Sequence, residues 1–184
     1  MRNLASSLTL GACLMGGVIA GTAHAFDIKS SDIRNDQPLS ASQVYKGFGC
    51  NGANLSPEIE WTGAPAGTRS LAVTVYDPDA PTGSGWWHWV AYDIQASARK
   101  LESGAGQAGK LPPGAKHGRN DFGTYDFGGA CPPAGDKPHR YVVTVYALKI
   151  EKLDVPADAS PALIGFMLNA NKLGTATITA NYRR

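Results

Sequence analysis

Charge is sparse in this chain. Asp, Glu, Lys and Arg make up 17% of its 184 residues, against roughly 25% in an average soluble protein. The formal net charge is +2. The lysines and arginines are scattered and form no basic run, so nothing marks a nucleic-acid partner. Internal repeats, low-complexity tracts and signs of a second domain are also absent. No Gly-x-Ser-x-Gly follows a strand-like run, and Ser84, flanked by glycines, has no evident base, which argues against a serine hydrolase. Cysteine is scarce, at three. A chain of this length buries roughly 70% of its unfolded surface, so it needs no metal to hold it together.

Long apolar runs are missing too, with one near exception. Leu4 to Ala20 is about 17 residues long and broken by Ser6, Ser7 and Thr9, which is thin for a membrane span. Arg2 precedes it, and Ala23-His24-Ala25 follows with the small-x-small spacing of a signal-peptidase site. The expectation is a cleaved signal peptide over 1–25, a single domain over 26–184, and a periplasmic or secreted product without stable membrane insertion. The rival is lipidation at Cys13, in the lipobox-like Leu10-Gly11-Ala12-Cys13. Cleavage leaves Cys50 and Cys131. An even count in an exported protein predicts a disulfide between them, with two free thiols as the alternative. The loop so closed is about 80 residues, for which the chain-entropy estimate is about 4–5 kcal/mol.

What is abundant is turn chemistry: 22 glycines and 12 prolines. Between the turns lie short apolar runs. Strands are expected from Phe26, over Pro57 to Trp61, Leu71 to Tyr76, Trp87 to Ile94, Tyr141 to Ile150 and Thr175 to Tyr182. Val44 to Ser56 and His117 to Cys131 read as loop, and Ala96 to Lys116 as exposed, mobile loop. One helix is expected late, at 161–173. Ser160 is its cap, Pro161 its first residue and Gly174 its end, with Leu163, Phe166, Met167 and Ala170 on its apolar face. Such a pattern predicts a mainly β domain of two packed antiparallel sheets.

The candidate site lies where strands meet these loops. Leu71 to Tyr76 runs into Asp77-Pro78-Asp79-Ala80-Pro81, where two prolines stiffen a turn carrying two carboxylates. Trp86-Trp87-His88-Trp89 follows. Residues two apart in a strand share a face, so Trp86, His88 and Val90 should point together, as should His139 and Tyr141, with Arg140 opposite. Taken singly, an Asp-Pro-Asp is most often a turn and a strand histidine a satisfied structural group. Their coincidence at strand ends, in two separate stretches, points to one polar pocket. Two acids and two histidines leave metal-dependent hydrolysis as a minor alternative, disfavoured by carboxylates held on a stiff turn.

Asp77-Pro-Asp-Ala-Pro81, Trp86-Trp87-His88 and Cys131-Pro132-Pro133-Ala-Gly135-Asp-Lys-Pro-His139-Arg140-Tyr141 resemble the signatures of the phosphatidylethanolamine-binding protein family, also known for Raf kinase inhibitor proteins. Asn54-Leu55-Ser56-Pro57 and Gly118-Arg-Asn-Asp-Phe-Gly123 resemble its bacterial branch. The resemblance spans residues 26–182. It implies an antiparallel β-sandwich with Greek-key character and a small pocket for phosphate or a phospholipid head group, with no cofactor and no catalysis. It places Asp77, His88, Pro132, Pro133, His139 and Tyr141 at that pocket, with Asp79 and Trp86 in support. Phe127 stands where the family commonly has tyrosine, which removes a hydroxyl. Nothing after Tyr182 matches the long C-terminal helix of eukaryotic members. An inhibitor of an extracytoplasmic or host protease or kinase, acting through the pocket rim, is the alternative function. Asp77 orients His88 or His139, meets a ligand ammonium group, or is protonated; the residues alone do not choose. If the histidines bind as cations, phosphate affinity should rise as pH falls through about 6.5.

Overall fold

The computed structural model describes residues 25–184, so the signal-peptide and Cys13 expectations lie outside the described residues. The strands are β1 (Asp27–Lys29), β2 (Lys46–Gly47), β3 (Cys50–Asn51), β4 (Ile59–Thr62), β5 (Ser70–Asp77), β6 (Trp86–Gln95), β7 (Lys100–Leu101), β8 (Lys116–His117), β9 (His139–Leu148) and β10 (Lys172–Tyr182), with one helix, α1 (Pro161–Asn171). A three-stranded sheet, β1-β4-β7, faces a five-stranded sheet ordered β10-β9-β5-β6-β8, and β2-β3 forms a small hairpin. Within the large sheet β9-β5-β6-β8 is a Greek key: three strands in succession, then a long connection that brings the fourth back beside the first.

The apolar runs explain this layering. Leu71, Val73 and Val75 of β5 face the small sheet, where they meet Ile28, Ile59, Trp61 and Leu101. Ala72, the next residue round, faces α1 with Val90, Leu148, Ile164 and Leu168. Because β5 is covered on both sides, it reads as an unbroken apolar run rather than an alternating one. Strand β9 alternates instead, with Tyr141, Val143, Val145 and Ala147 buried and the residues between them partly exposed.

Four expectations are corrected here. Helix α1 stops at Asn171, not 173, because Lys172 is already extended and pairs with Leu148. Its buried face is also different. Pro161, Ile164, Gly165 and Leu168 are buried, while Phe166 is 69% exposed and Leu163 41%. The helix is apolar nearly all round, so periodicity alone offers two stripes, and packing selects the one with Gly165. A Cβ there would lie 3.0 Å from the Trp87 ring, so glycine lets the helix approach β6 closely. The 96–116 stretch, expected to be exposed, contains β7, whose Leu101 is fully buried opposite Ile59. The loop over 44–56 likewise carries the β2-β3 hairpin.

The Cys50–Cys131 disulfide is formed and joins β3 to the segment that leads into Pro132 and Pro133. Its 81-residue separation predicts that the Cys50→Ser/Cys131→Ser double variant loses up to about 4–5 kcal/mol of unfolding free energy. Urea denaturation checks this; an unchanged midpoint contradicts it.

Candidate functional site

Asp77 ends β5 and begins the turn that follows. Its Oδ1 accepts from the backbone N–H of Asp79 (2.8 Å) and of Ala80 (3.1 Å), which fixes the carboxylate in a side-chain turn. Its Oδ2 accepts from His139 Nδ1 at 2.7 Å, at the first residue of β9. The pair is buried, with 4% side-chain exposure on each side. His139 Nε2 lies 3.3 Å from Asp136 Oδ2, so both ring nitrogens face carboxylates. Burial opposes charge on this ring. The hydrogen bond and charge of Asp77, followed by those of Asp136, outweigh it and raise the His139 pKa.

Asp79 turns outward. It accepts from Arg140 Nε and backbone N at 2.9 Å each and from the Arg140 guanidinium at 2.8 Å, which ties the 77–81 turn to the start of β9. The Arg140 hydrogen bonds hold its pKa at about 2. Asp79 therefore braces the site without lining it.

His88 reaches the site through a bulge. Val75 pairs with Trp89 and Tyr76 with Trp87, so His88 is one extra residue on β6. Bulges re-aim a side chain, and this one breaks the expected alternation. Trp86 and His88 share a cavity, whereas Val90 packs toward the helix. The His88 backbone carbonyl accepts from Gly128 N (2.9 Å), and His88 Nδ1 lies 2.7 Å from Gly128 O. A carbonyl only accepts, so Nδ1 carries the hydrogen and, in the neutral ring, Nε2 is a bare acceptor. Burial lowers the His88 pKa to about 4 and keeps that ring neutral. Asn54 holds the 127–129 segment in place, donating to Phe127 O (3.1 Å) and accepting from Gly129 N (2.7 Å).

A cavity of about 240 Å³ is lined by Asp77, Trp86, His88, Pro132, Pro133, His139 and Tyr141, together with Phe48, Ala80, Pro81, Thr82, Phe122 and Cys131. Seven of the nine expected site residues thus meet at one cavity. Phe127 does not: it is a core residue, edge-on to Trp89, and its N–H bonds Gly106 O. Phe122 takes a place at the cavity instead. Asp121 fixes it there, exchanging hydrogen bonds with the Trp87 backbone (2.7 and 3.0 Å), and its ring lies on Gly128, where a Cβ would come within 2.3 Å. Phe48 also lines the cavity, outside the expected set. It stands between two glycines at φ 53, 67% exposed, and stacks on Phe122 at 5.9 Å. Lys46-Gly47-Phe48-Gly49-Cys50 was the available signal: a large apolar residue between glycines, beside a cysteine. Three lining residues carry buried polar atoms without a partner, namely Trp86 Nε1, His88 Nε2 and Tyr141 Oη. Burial raises the Tyr141 pKa, so its hydroxyl keeps its hydrogen.

The sequence model of the phosphatidylethanolamine-binding protein family matches residues 29–183. This chain belongs to the phosphatidylethanolamine-binding protein family. UPF0098 protein YbcL of Escherichia coli K12 is 56% identical over 162 residues, 87% of this chain and 88% of YbcL. UPF0098 protein YbhB of the same organism is 46% identical, over 83% of this chain and 97% of YbhB. The crystal structure of E. coli YbcL, described as a new member of the mammalian family, superposes with a TM-score of 0.85 at 55% identity, over 86% of this chain and 98% of that one. Putative lipoprotein LppC of Mycobacterium tuberculosis H37Rv is 30% identical, over 85% of this chain and 81% of LppC.

In this family member the two cavity histidines pull stability in opposite directions with pH. His88 stays neutral in the fold down to about 4, while the unfolded ring takes a proton near 6.5. Stability therefore falls as pH drops from about 6.5 to about 4, by on the order of 3 kcal/mol. His139, raised in the fold, contributes stability that is complete below about 6.5 and is lost as pH climbs through its folded value. Urea midpoints from pH 4.5 to 8.5 should show the acid loss flattened by His88→Asn, whose amide still reaches the Gly128 carbonyl. His139→Asn should flatten the alkaline loss. Unchanged limbs in either variant contradict the assignment.

Proposed function

We propose that this chain is an exported binding protein that holds phosphate, or the phosphorylated head group of a lipid or small metabolite, without transforming it. The observation that carries this reading is the set of buried, unpartnered atoms on Trp86, His88 and Tyr141 around one cavity. A buried polar group without a partner costs stability, so three at one place mark a site built for a ligand. The donors suit oxygen atoms of an oxyanion, and the apolar walls of Phe48, Phe122, Pro132 and Pro133 suit the carbon part of a head group.

Chemistry on the ligand is disfavoured by how the polar groups are engaged. Asp77 uses both oxygens on the turn and on His139, and His139 faces carboxylates at both nitrogens. Thr82, the aliphatic hydroxyl at the cavity wall, donates to Gly85 O rather than to a base. Among the described residues, no group of three or more His, Cys, Asp or Glu side chains is placed to hold a metal ion. Export is supported by the 1–25 sequence, by the disulfide, which suits an oxidising compartment, and by the lipoprotein name of one relative. Among the described residues, no helix is long and apolar enough to cross a membrane.

Titration calorimetry of the mature protein with phosphoethanolamine at pH 6 tests the reading. Wild type should bind, and Tyr141→Phe should bind about tenfold more weakly. Because that variant removes an unpartnered hydroxyl, its melting temperature without ligand should be equal or higher. An absence of binding by wild type, or equal affinity in the variant, contradicts the proposal.

A further inference from the structure

We propose that the cavity selects oxyanions that carry a hydroxyl on phosphorus, meaning inorganic phosphate or a singly protonated phosphate monoester, over sulfate and over phosphodiesters. The inference rests on the reading that the cavity holds a phosphate-type ligand, and narrows it to phosphate and monoesters, disfavouring the head group of an intact phospholipid, which is a phosphodiester.

The argument starts from His88. Gly128 O accepts from Nδ1, so the nitrogen left unpartnered is an acceptor. Trp86 Nε1 is a donor only, and the Tyr141 hydroxyl donates one hydrogen. The three groups are neighbours: the His88 ring lies 5.1 Å from that of Tyr141 and 5.5 Å from that of Phe122, which is 5.3 Å from Trp86. A fully deprotonated oxyanion brings only lone pairs. It satisfies Trp86 and Tyr141 but sets a lone pair against His88 Nε2. A ligand with one P–OH supplies the missing hydrogen.

The charges agree. Among the described residues, no lysine or arginine lines the cavity. The ionisable groups facing His88 are Asp77 from β5 and His139 and Tyr141 from β9, with Asp136 behind His139 and the Asp79–Arg140 pair outside. Asp77 and Asp136 against the one imidazolium of His139 leave no net positive charge at the cavity, so a monoanion meets less repulsion there than a dianion. At about 240 Å³ the cavity is smaller than the roughly 300–1,000 Å³ of drug-sized sites and fits a phosphate with a short substituent.

The test is a panel at pH 5.5, where a phosphate monoester retains its second proton because that group titrates near 6. Inorganic phosphate and phosphoethanolamine carry P–OH; sulfate and the diester glycerophosphoethanolamine do not. Calorimetric affinities for the first two should exceed those for the last two by about tenfold or more; a smaller ratio for either overturns the inference. Should the diester match phosphoethanolamine while phosphate binds weakly, the ammonium group serves His88 and the inference fails. Equal binding of all four overturns the inference and leaves the proposed function standing, whereas binding of none overturns both. His88→Asn keeps the donor to Gly128 but places no acceptor where Nε2 stands, so phosphate affinity should fall to the sulfate level; retained discrimination contradicts the assignment. If that variant does not fold, the wild-type panel decides.

Discussion

A single buried hydrogen bond, from His139 Nδ1 to Asp77 Oδ2, holds the site together. It joins the last residue of β5 to the first of β9, 62 positions away in the chain. The other oxygen of Asp77 shapes the turn after β5, so one carboxylate sets both the cavity floor and the loop beside it. A buried carboxylate is tolerable only if its lone pairs are satisfied, and here three donors converge on it. Removing either partner would leave the other buried and unpaired. Arg140 and Asp79 repeat the link one residue outward, in solvent, where an ion pair contributes little to stability but still defines geometry.

Around this link the structure uses rigidity. Proline walls at Pro81, Pro132 and Pro133, the disulfide at Cys131 and the bulge at His88 all act on the cavity rim. These devices hold open a pocket whose polar atoms the protein leaves without internal partners. A core that could relax would close over Trp86, His88 and Tyr141 and satisfy them from within. On the proposed reading, ligand recognition and stability are opposed at the same three atoms.

Much of this was legible in the sequence because it depends on local chemistry. Asp77-Pro-Asp-Ala-Pro81 announces a stiff turn, Leu71 to Tyr76 a strand, and Cys50 and Cys131 a bridge. What was not legible depends on pairing between distant segments. The bulge that separates His88 from Val90 exists only in the register between β5 and β6. Leu101 is buried because Ile59 lies opposite it, in a stretch whose own composition reads as loop. The helix presents Ile164 and Leu168 rather than Leu163 and Phe166 because Gly165 fits beneath Trp87. Phe122 and Phe127 are five residues apart in one irregular loop, and the hydrogen bonds of Asn54 and Asp121 decide which reaches the cavity.

The central claim is that His88 presents a bare acceptor nitrogen to a ligand inside a cavity closed by Asp77 and His139. The most direct measurement is a long-range proton–nitrogen NMR spectrum of the histidine rings at pH 6, with and without inorganic phosphate. His88 should appear as the neutral tautomer protonated at Nδ1, and its Nε2 resonance should move when phosphate is added. A proton on Nε2 without ligand, or an Nε2 signal indifferent to phosphate, would contradict the account.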